Sequence, residues 1–158
     1  MTMEIALEEQ IVEKLKQNQW RITTAESCSG GLVAGTLVNV AGVSDVFAEG
    51  YITYSNEAKH RLLGVDERLL ETYGAVSTQV AQQMAEGACK AASSETAIAV
   101  TGIAGPGGGT EDKPVGLVYI GCHVPGKTKV SENHFTGSRR EIREQTVKAA
   151  LLQMLELL

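Results

Sequence analysis

The stretch Thr23 to Gly31, Thr-Thr-Ala-Glu-Ser-Cys-Ser-Gly-Gly, constrains this chain more than any other. It follows Ile22 directly and opens a run of apolar residues (Leu32, Val33, Ala34, Leu37, Val38) that suits a buried helix. Hydroxyls, a thiol and two glycines therefore fall where a strand turns into a helix, the place where α/β proteins hold ligands. The first turn of such a helix offers unpaired N–H groups and the positive end of its dipole, which suit a phosphate, a carboxylate or an oxyanion. Ser27, Cys28 and Ser29 are candidate nucleophiles, and Gly30 and Gly31 allow close approach. The same residues also make ordinary helix caps and packing glycines, so partners elsewhere in the chain must decide between the two uses.

The remaining periodicities supply a frame. Leu7, Ile11, Val12 and Leu15 mark an amphipathic first helix. Trp20 to Ala25 reads as a strand, and the following helix is expected to run to about Val40. Val46 to Tyr54, rich in aromatic and β-branched residues, reads as a second strand despite Gly50. Ser55 or Asn56 then caps a helix through Leu63 that stops at Gly64, with Lys59 in or beside its first turn. A cation there faces the unfavourable end of the dipole, which helps to lower its pKa. Asp66 to Tyr73 and Ser77 to Ala92 continue as helices, and Thr96 to Val100 is apolar enough for a central buried strand.

That strand leads into Thr101-Gly102-Ile103-Ala104-Gly105-Pro106-Gly107-Gly108-Gly109, a loop with five glycines in eight positions. Either its N–H groups approach a ligand or it is a flexible surface loop; it is not a P-loop, for no Gly-Lys-Ser/Thr follows. Val115 to Val124 and Thr128 to Phe135, joined at Pro125-Gly126, predict an antiparallel hairpin and hence a mixed sheet. Ser138 and Glu141 fit a capping box for a last helix, whose start gathers Arg139, Arg140 and Arg143. Arginines at that end point to an anion between them or to plain solvation.

At 158 residues and 43% hydrophobic the chain suffices for one core, so residues 1–158 read as a single domain. A formal charge of −5 argues against general binding to nucleic acid or an anionic membrane. No apolar run reaches the ~18 residues of a membrane helix. The first residues lack a basic leader, so the expectation is a cytoplasmic protein. Cys28, Cys89 and Cys122 are odd in number and widely spaced, and His60, His123 and His134 form no metal motif; neither a metal nor a cofactor is expected.

The three polar junctions follow three strands, so they predict one cleft at one sheet edge that gathers Ser27, Tyr54, Lys59 and the glycine loop. On a helix only one of Lys59 and His60 can face Ser27, and the lysine is favoured. A neutral amine can take the serine's proton as the oxygen attacks a carbonyl, provided its pKa falls from ~10.4 to about 7–8. Cys28 as the nucleophile, and a module that binds a nucleotide without turning it over, are the competing readings.

Five ordered motifs carry a resemblance over nearly the whole chain: Thr-Ala-Glu-Ser-Cys-Ser-Gly-Gly (24–31), Tyr-Ser-Asn-Glu-Ala-Lys (54–59), Gly-Ala-Val-Ser (74–77), Thr-Gly-Ile-Ala-Gly-Pro (101–106) and Lys-Pro-Val-Gly (113–116). Together they resemble the CinA C-terminal domain family, whose stand-alone members are nicotinamide-nucleotide amidohydrolases. The resemblance implies a three-layer α/β/α sandwich around a mixed, five-stranded sheet. It also implies hydrolysis of the carboxamide of nicotinamide mononucleotide to nicotinic acid mononucleotide and ammonia, a step of pyridine-nucleotide salvage. Its Ser/Lys chemistry maps onto Ser27 and Lys59, with Tyr54 as a further catalytic candidate. The substrate's phosphate is expected to meet the turn at Cys28, Ser29, Gly30 and Gly31, the loop at Thr101, Gly102 and Gly105, or Arg139 and Arg143. Glu26 or Tyr54 is expected to face its pyridinium. Longer relatives carry an additional N-terminal nucleotide-processing domain, whose activity is not expected of this chain. Gly137-Ser138-Arg139 stands where relatives often have Gly-Asp-Arg. The apolar helix faces also suit a homo-oligomer.

Overall fold

The computed structural model of the protein describes residues 3–158. Helix α1 (Leu7–Asn18) buries Ile11, Val12 and Leu15 and leads into β1 (Ile22–Glu26), which is buried along its whole length. A turn over residues 27–31 separates β1 from α2 (Leu32–Leu37). Then follow β2 (Tyr51–Ile52), α3 (Asn56–Leu63), α4 (Glu67–Tyr73), α5 (Thr78–Ala92), β3 (Thr96–Gly102), the hairpin β4 (Leu117–Val124) and β5 (Lys127–His134), and α6 (Arg139–Leu157). The strands form one sheet in the order β2-β1-β3-β4-β5. β2, β1 and β3 are parallel; β4 and β5 are antiparallel additions. This is the mixed five-stranded sheet the sequence predicts.

The faces of the sheet differ because successive strand residues point to opposite sides. Ile22, Ile98, Val100, Val118 and Ile120 join α1, α2 and α6 in one core. Ala25, Ala97 and Ala99 face a second core with α3, α4 and α5. Small residues on that side bring α5 close: a Cβ on Gly121 would stand 2.7 Å from the Ala81 carbonyl. Helices thus cover both faces and complete the three layers.

Side-chain caps set the helix starts. Ser55, Asp66, Ser77 and Ser138 each accept a hydrogen bond from the first turn of α3, α4, α5 and α6, and Ser138 and Glu141 form the reciprocal box. Two segments depart from the sequence reading. α2 stops at Leu37 instead of about Val40, because the N–H groups of Asn39 and Val40 turn to carbonyls three residues back in a stretch of poor helix formers. Of Val46 to Tyr54 only Tyr51 and Ile52 pair as a strand, with one isolated bridge from Phe47 to Ile22. That segment lies at the sheet edge, and its Gly50 abuts Thr24: a Cβ there would come within 2.5 Å of the Thr24 hydroxyl.

Candidate active site

Because β2, β1 and β3 run parallel, their carboxyl ends open on the same edge, and three chain segments meet there. Ser27 follows β1 immediately, anchored by its N–H to the Val100 carbonyl (3.0 Å). Lys59 lies in the first turn of α3, its N–H bonded to the Ser55 carbonyl. Its side chain is 1% exposed, the largest of the fully buried ones. The Nζ donates to Ser27 Oγ at 3.0 Å and to the Thr53 carbonyl at 2.7 Å. His60 turns away, with Nδ1 on the Val65 carbonyl and Nε2 3.5 Å from Glu67.

Burial holds the Lys59 amine well below its ordinary value, at about 8. A neighbouring thiolate at Cys28 would act in the opposite sense, and no carboxylate among the described residues pairs with the amine to restore its charge. At neutral pH a sizeable minority of the amine, about one in ten, is therefore unprotonated and able to accept the serine's proton. The geometry suits nucleophilic attack on an electrophilic carbonyl.

Beside the pair lies a cavity of about 220 Å³ lined by Ser27, Cys28, Tyr54, Ala75, Val76, Thr101, Gly102, Ala104 and Arg139. Tyr54 stands at its rim, 62% exposed, and its hydroxyl accepts from Arg139 Nη2 at 3.0 Å. Arg139 Nη1 donates to the Gly105 carbonyl at 2.7 Å, so the glycine loop and the start of α6 are tied together across the cavity mouth. Buried Thr101 donates its hydroxyl to the Ala75 carbonyl (2.9 Å) and fixes the Gly74–Ser77 segment as a wall. Gly107, Gly108 and Gly109 are exposed and outside the lining. A larger hollow, about 380 Å³ between α3 and α4, contains none of the expected site residues.

Several expected ligand residues are engaged elsewhere. Glu26 is fully buried and its oxygens accept the N–H groups of Val33 (2.8 Å) and Ala34 (3.0 Å), so it caps α2 and does not face the cavity. The first turn of α2 is accordingly not free to hold an anion. Cys28 lies four residues before that helix, and burial, the largest influence, raises its thiol to about 11 despite opposing contributions from its own N–H and Arg143. A thiolate is disfavoured there. Ser29 is buried with no partner for its hydroxyl among the described residues; Gly30 and Gly31, both at positive φ (58° and 102°), shape the turn. Arg143 donates to the carbonyls of Cys28 (3.0 Å) and Ser29 (3.1 Å) and is absent from the cavity lining. The Thr53 carbonyl has no signal in the sequence, whereas the walls at Ala75 and Val76 lie in the Gly-Ala-Val-Ser motif (74–77) and that at Ala104 in the Thr-Gly-Ile-Ala-Gly-Pro motif (101–106). All three cysteines are free and buried, and among the described residues no group of three or more His, Cys, Asp and Glu could hold a metal ion. No described helix is long and apolar enough to cross a membrane.

Fold and site together define a three-layer α/β protein whose parallel strands converge on a buried serine–lysine pair. The chain belongs to the CinA C-terminal domain family, whose model matches residues 4–158. It is 53% identical over 148 residues to a competence-damage inducible protein of Clostridium novyi (strain NT), covering 94% of this chain and 36% of the relative. A namesake from Clostridium perfringens (strain SM101 / Type A) is 50% identical over the same share of each. The chain thus spans about a third of the length of these curated relatives. Solved structures match it more fully. The competence/damage inducible protein CihA from Agrobacterium tumefaciens superposes with a TM-score of 0.90 at 42% identity, over 99% of each chain. A CinA superfamily protein from Escherichia coli gives 0.91 at 34% identity, over 100% of this chain and 96% of the other.

Proposed function

We propose that this protein is an amidohydrolase that converts nicotinamide mononucleotide to nicotinic acid mononucleotide and ammonia through a Ser27–Lys59 pair. The observation that carries this reading is the 3.0 Å contact between the Ser27 hydroxyl and a buried lysine whose amine titrates near 8. The carboxamide of a pyridine nucleotide is the substrate that the resemblance of the sequence motifs implies, and membership of the CinA C-terminal domain family is consistent with it.

The unprotonated Lys59 takes the hydroxyl proton as Ser27 Oγ bonds to the carboxamide carbon, and the carbonyl π pair moves onto oxygen. The tetrahedral adduct collapses with cleavage of its C–N bond while Lys59 returns the proton to the departing nitrogen, which leaves as ammonia. Water then attacks the Ser27 ester and its proton passes to Lys59; as the adduct collapses with cleavage of the C–O bond, Lys59 hands that proton to Ser27 Oγ, and the acid released loses its own proton to solvent as the carboxylate. Cavity groups suit the rest of the molecule. Arg139 offers the lining's only guanidinium to a phosphate, and the Tyr54 ring offers a π face to the pyridinium. No carboxylate lines the cavity, so Glu26 has no part in this scheme.

The test is ammonia release from nicotinamide mononucleotide by the purified protein. Wild-type protein is expected to turn the nucleotide over, and Ser27→Ala to lose about 10³- to 10⁵-fold in kcat while still binding it. Folded wild-type protein that binds the nucleotide and releases no ammonia would reject the enzyme reading in favour of a binding module.

A further inference from the structure

We infer that Arg143, on α6 and outside the cavity, is a positioning residue that orients and polarises the backbone donors of the nucleophile turn. The inference rests on the amidohydrolase reading above and adds to it a residue and a device.

The accounting of backbone groups in the turn leads to it. Ser27 N–H goes to the Val100 carbonyl and Gly30 N–H to the Ser27 carbonyl (both 3.0 Å), and Leu32 N–H goes to the Ser29 carbonyl (3.1 Å). Among the described residues the N–H groups of Cys28, Ser29 and Gly31 find no carbonyl in this turn, and those of Cys28 and Ser29 come first along the chain. These are the donors immediately after the nucleophile, where an oxyanion would need them. Each lies at the end of a chain of peptide groups that begins at the Arg143 guanidinium. Nε donates to the Cys28 carbonyl at 3.0 Å, and the nitrogen of that same peptide is Ser29's. Nη2 donates to the Ser29 carbonyl at 3.1 Å; the nitrogen of that peptide is Gly30's, it donates to the Ser27 carbonyl, and the nitrogen of the Ser27 peptide is Cys28's.

In a trans peptide the C=O and N–H point in opposite directions, so a cation on the carbonyl side fixes where the N–H aims. It also draws electron density from the nitrogen and strengthens the donor, and linked bonds reinforce one another. Gly30 belongs to the device. A Cβ there would stand 3.3 Å from Arg143 Nη2, at φ +58°, so a side chain would both strain the turn and crowd the guanidinium. Two consecutive carbonyls held by one planar fork require arginine; an ammonium cannot reproduce that spacing.

Arg143→Gln and Arg143→Lys test this in the full chain. The expected result for Arg143→Gln is a kcat lower by about 100-fold with KM within about threefold, and for Arg143→Lys a loss of about tenfold. The activity ionisation near 8 should stay in place, because burial and not Arg143 sets the Lys59 amine. Amide proton shifts of Cys28 and Ser29 should move in both variants while those of α5 do not. Turnover within threefold of wild type, or a higher KM at unchanged kcat, overturns the inference; the latter would make Arg143 a substrate ligand. If Arg143→Gln does not fold, Arg143→Lys decides alone, and an undiminished kcat sinks it. Wild-type protein that releases no ammonia defeats the amidohydrolase reading instead, and the amide shifts then decide whether the guanidinium polarises the turn.

Discussion

Glu26 meets the start of α2 and Lys59 lies in the first turn of α3, and both are buried, 0% and 1% exposed. Their surroundings treat them in opposite ways. The carboxylate receives two backbone N–H groups and the positive end of a helix, the partners a negative charge needs. The amine receives one carbonyl and one hydroxyl, no counter-charge, and a place at the unfavourable end of its own helix. Burial with full compensation makes a structural joint. Burial with partial compensation makes a base, because the cost of the charge is relieved by giving up the proton.

The largest expected effect tests whether Lys59 acts by losing its proton. Lys59→Ala should lower kcat for ammonia release by about 10³-fold or more, and Lys59→Arg should do no better, since a guanidinium keeps its proton at every accessible pH. Substantial turnover by Lys59→Arg would show that a fixed positive charge suffices and would break the contrast with Glu26.

Next in size is the effect of removing the compensated partner. Glu26→Ala leaves the Val33 and Ala34 N–H groups without acceptors in a buried place, so unfolding in urea should show a loss of about 3–4 kcal/mol. Glu26→Gln keeps one acceptor oxygen and should lose roughly half as much. If Glu26→Ala instead melts like wild type but fails to bind the nucleotide, Glu26 is a ligand after all.

The third effect is read against pH. The unfolded chain holds the Lys59 proton up to about 10.5 and the folded chain only to about 8. Between those values the unfolded state carries more protons, so folding stability rises with pH. The destabilising contribution is fully present below about 8 and gone above about 10.5, a swing of about 3 kcal/mol by linkage. Lys59→Met should lack this slope; identical slopes in both proteins would contradict the lowered amine. Turnover should follow the same ionisation, falling tenfold per pH unit below about 8.

What the sequence made legible follows the range of the interaction. α3 to α6 are announced by capping residues within their own first turns, and Ser27 and Lys59 by their places at a strand end and a helix start. For Glu26 strand alternation carries the answer that its polarity hides: it points with Thr24 and Ile22 toward the α1, α2 and α6 side. Arg139 and Arg143, four apart on α6, share a helix face, yet nothing local says that one reaches the cavity mouth and the other the nucleophile turn 114 residues away. Val46 to Tyr54 has the composition of a strand, and only the edge position of β2 limits its pairing.

The smallest expected effect concerns Cys28, the side chain beside the serine. Cys28 is among the residues that line the cavity, and a cysteine ahead of a helix is a reasonable nucleophile by sequence. Here the helix N–H groups belong to Glu26, and burial holds the thiol near 11, so at neutral pH about one molecule in 10⁴ carries a thiolate. Lys59 sits on the serine, 3.0 Å from Oγ. Cys28→Ala should therefore retain kcat within about threefold, with at most about 1 kcal/mol lost from packing. Iodoacetamide should leave activity intact on the time scale of the assay. An inactive Cys28→Ala beside an active Ser27→Ala would move the chemistry one residue along the turn, and Lys59 would then be a base without its serine.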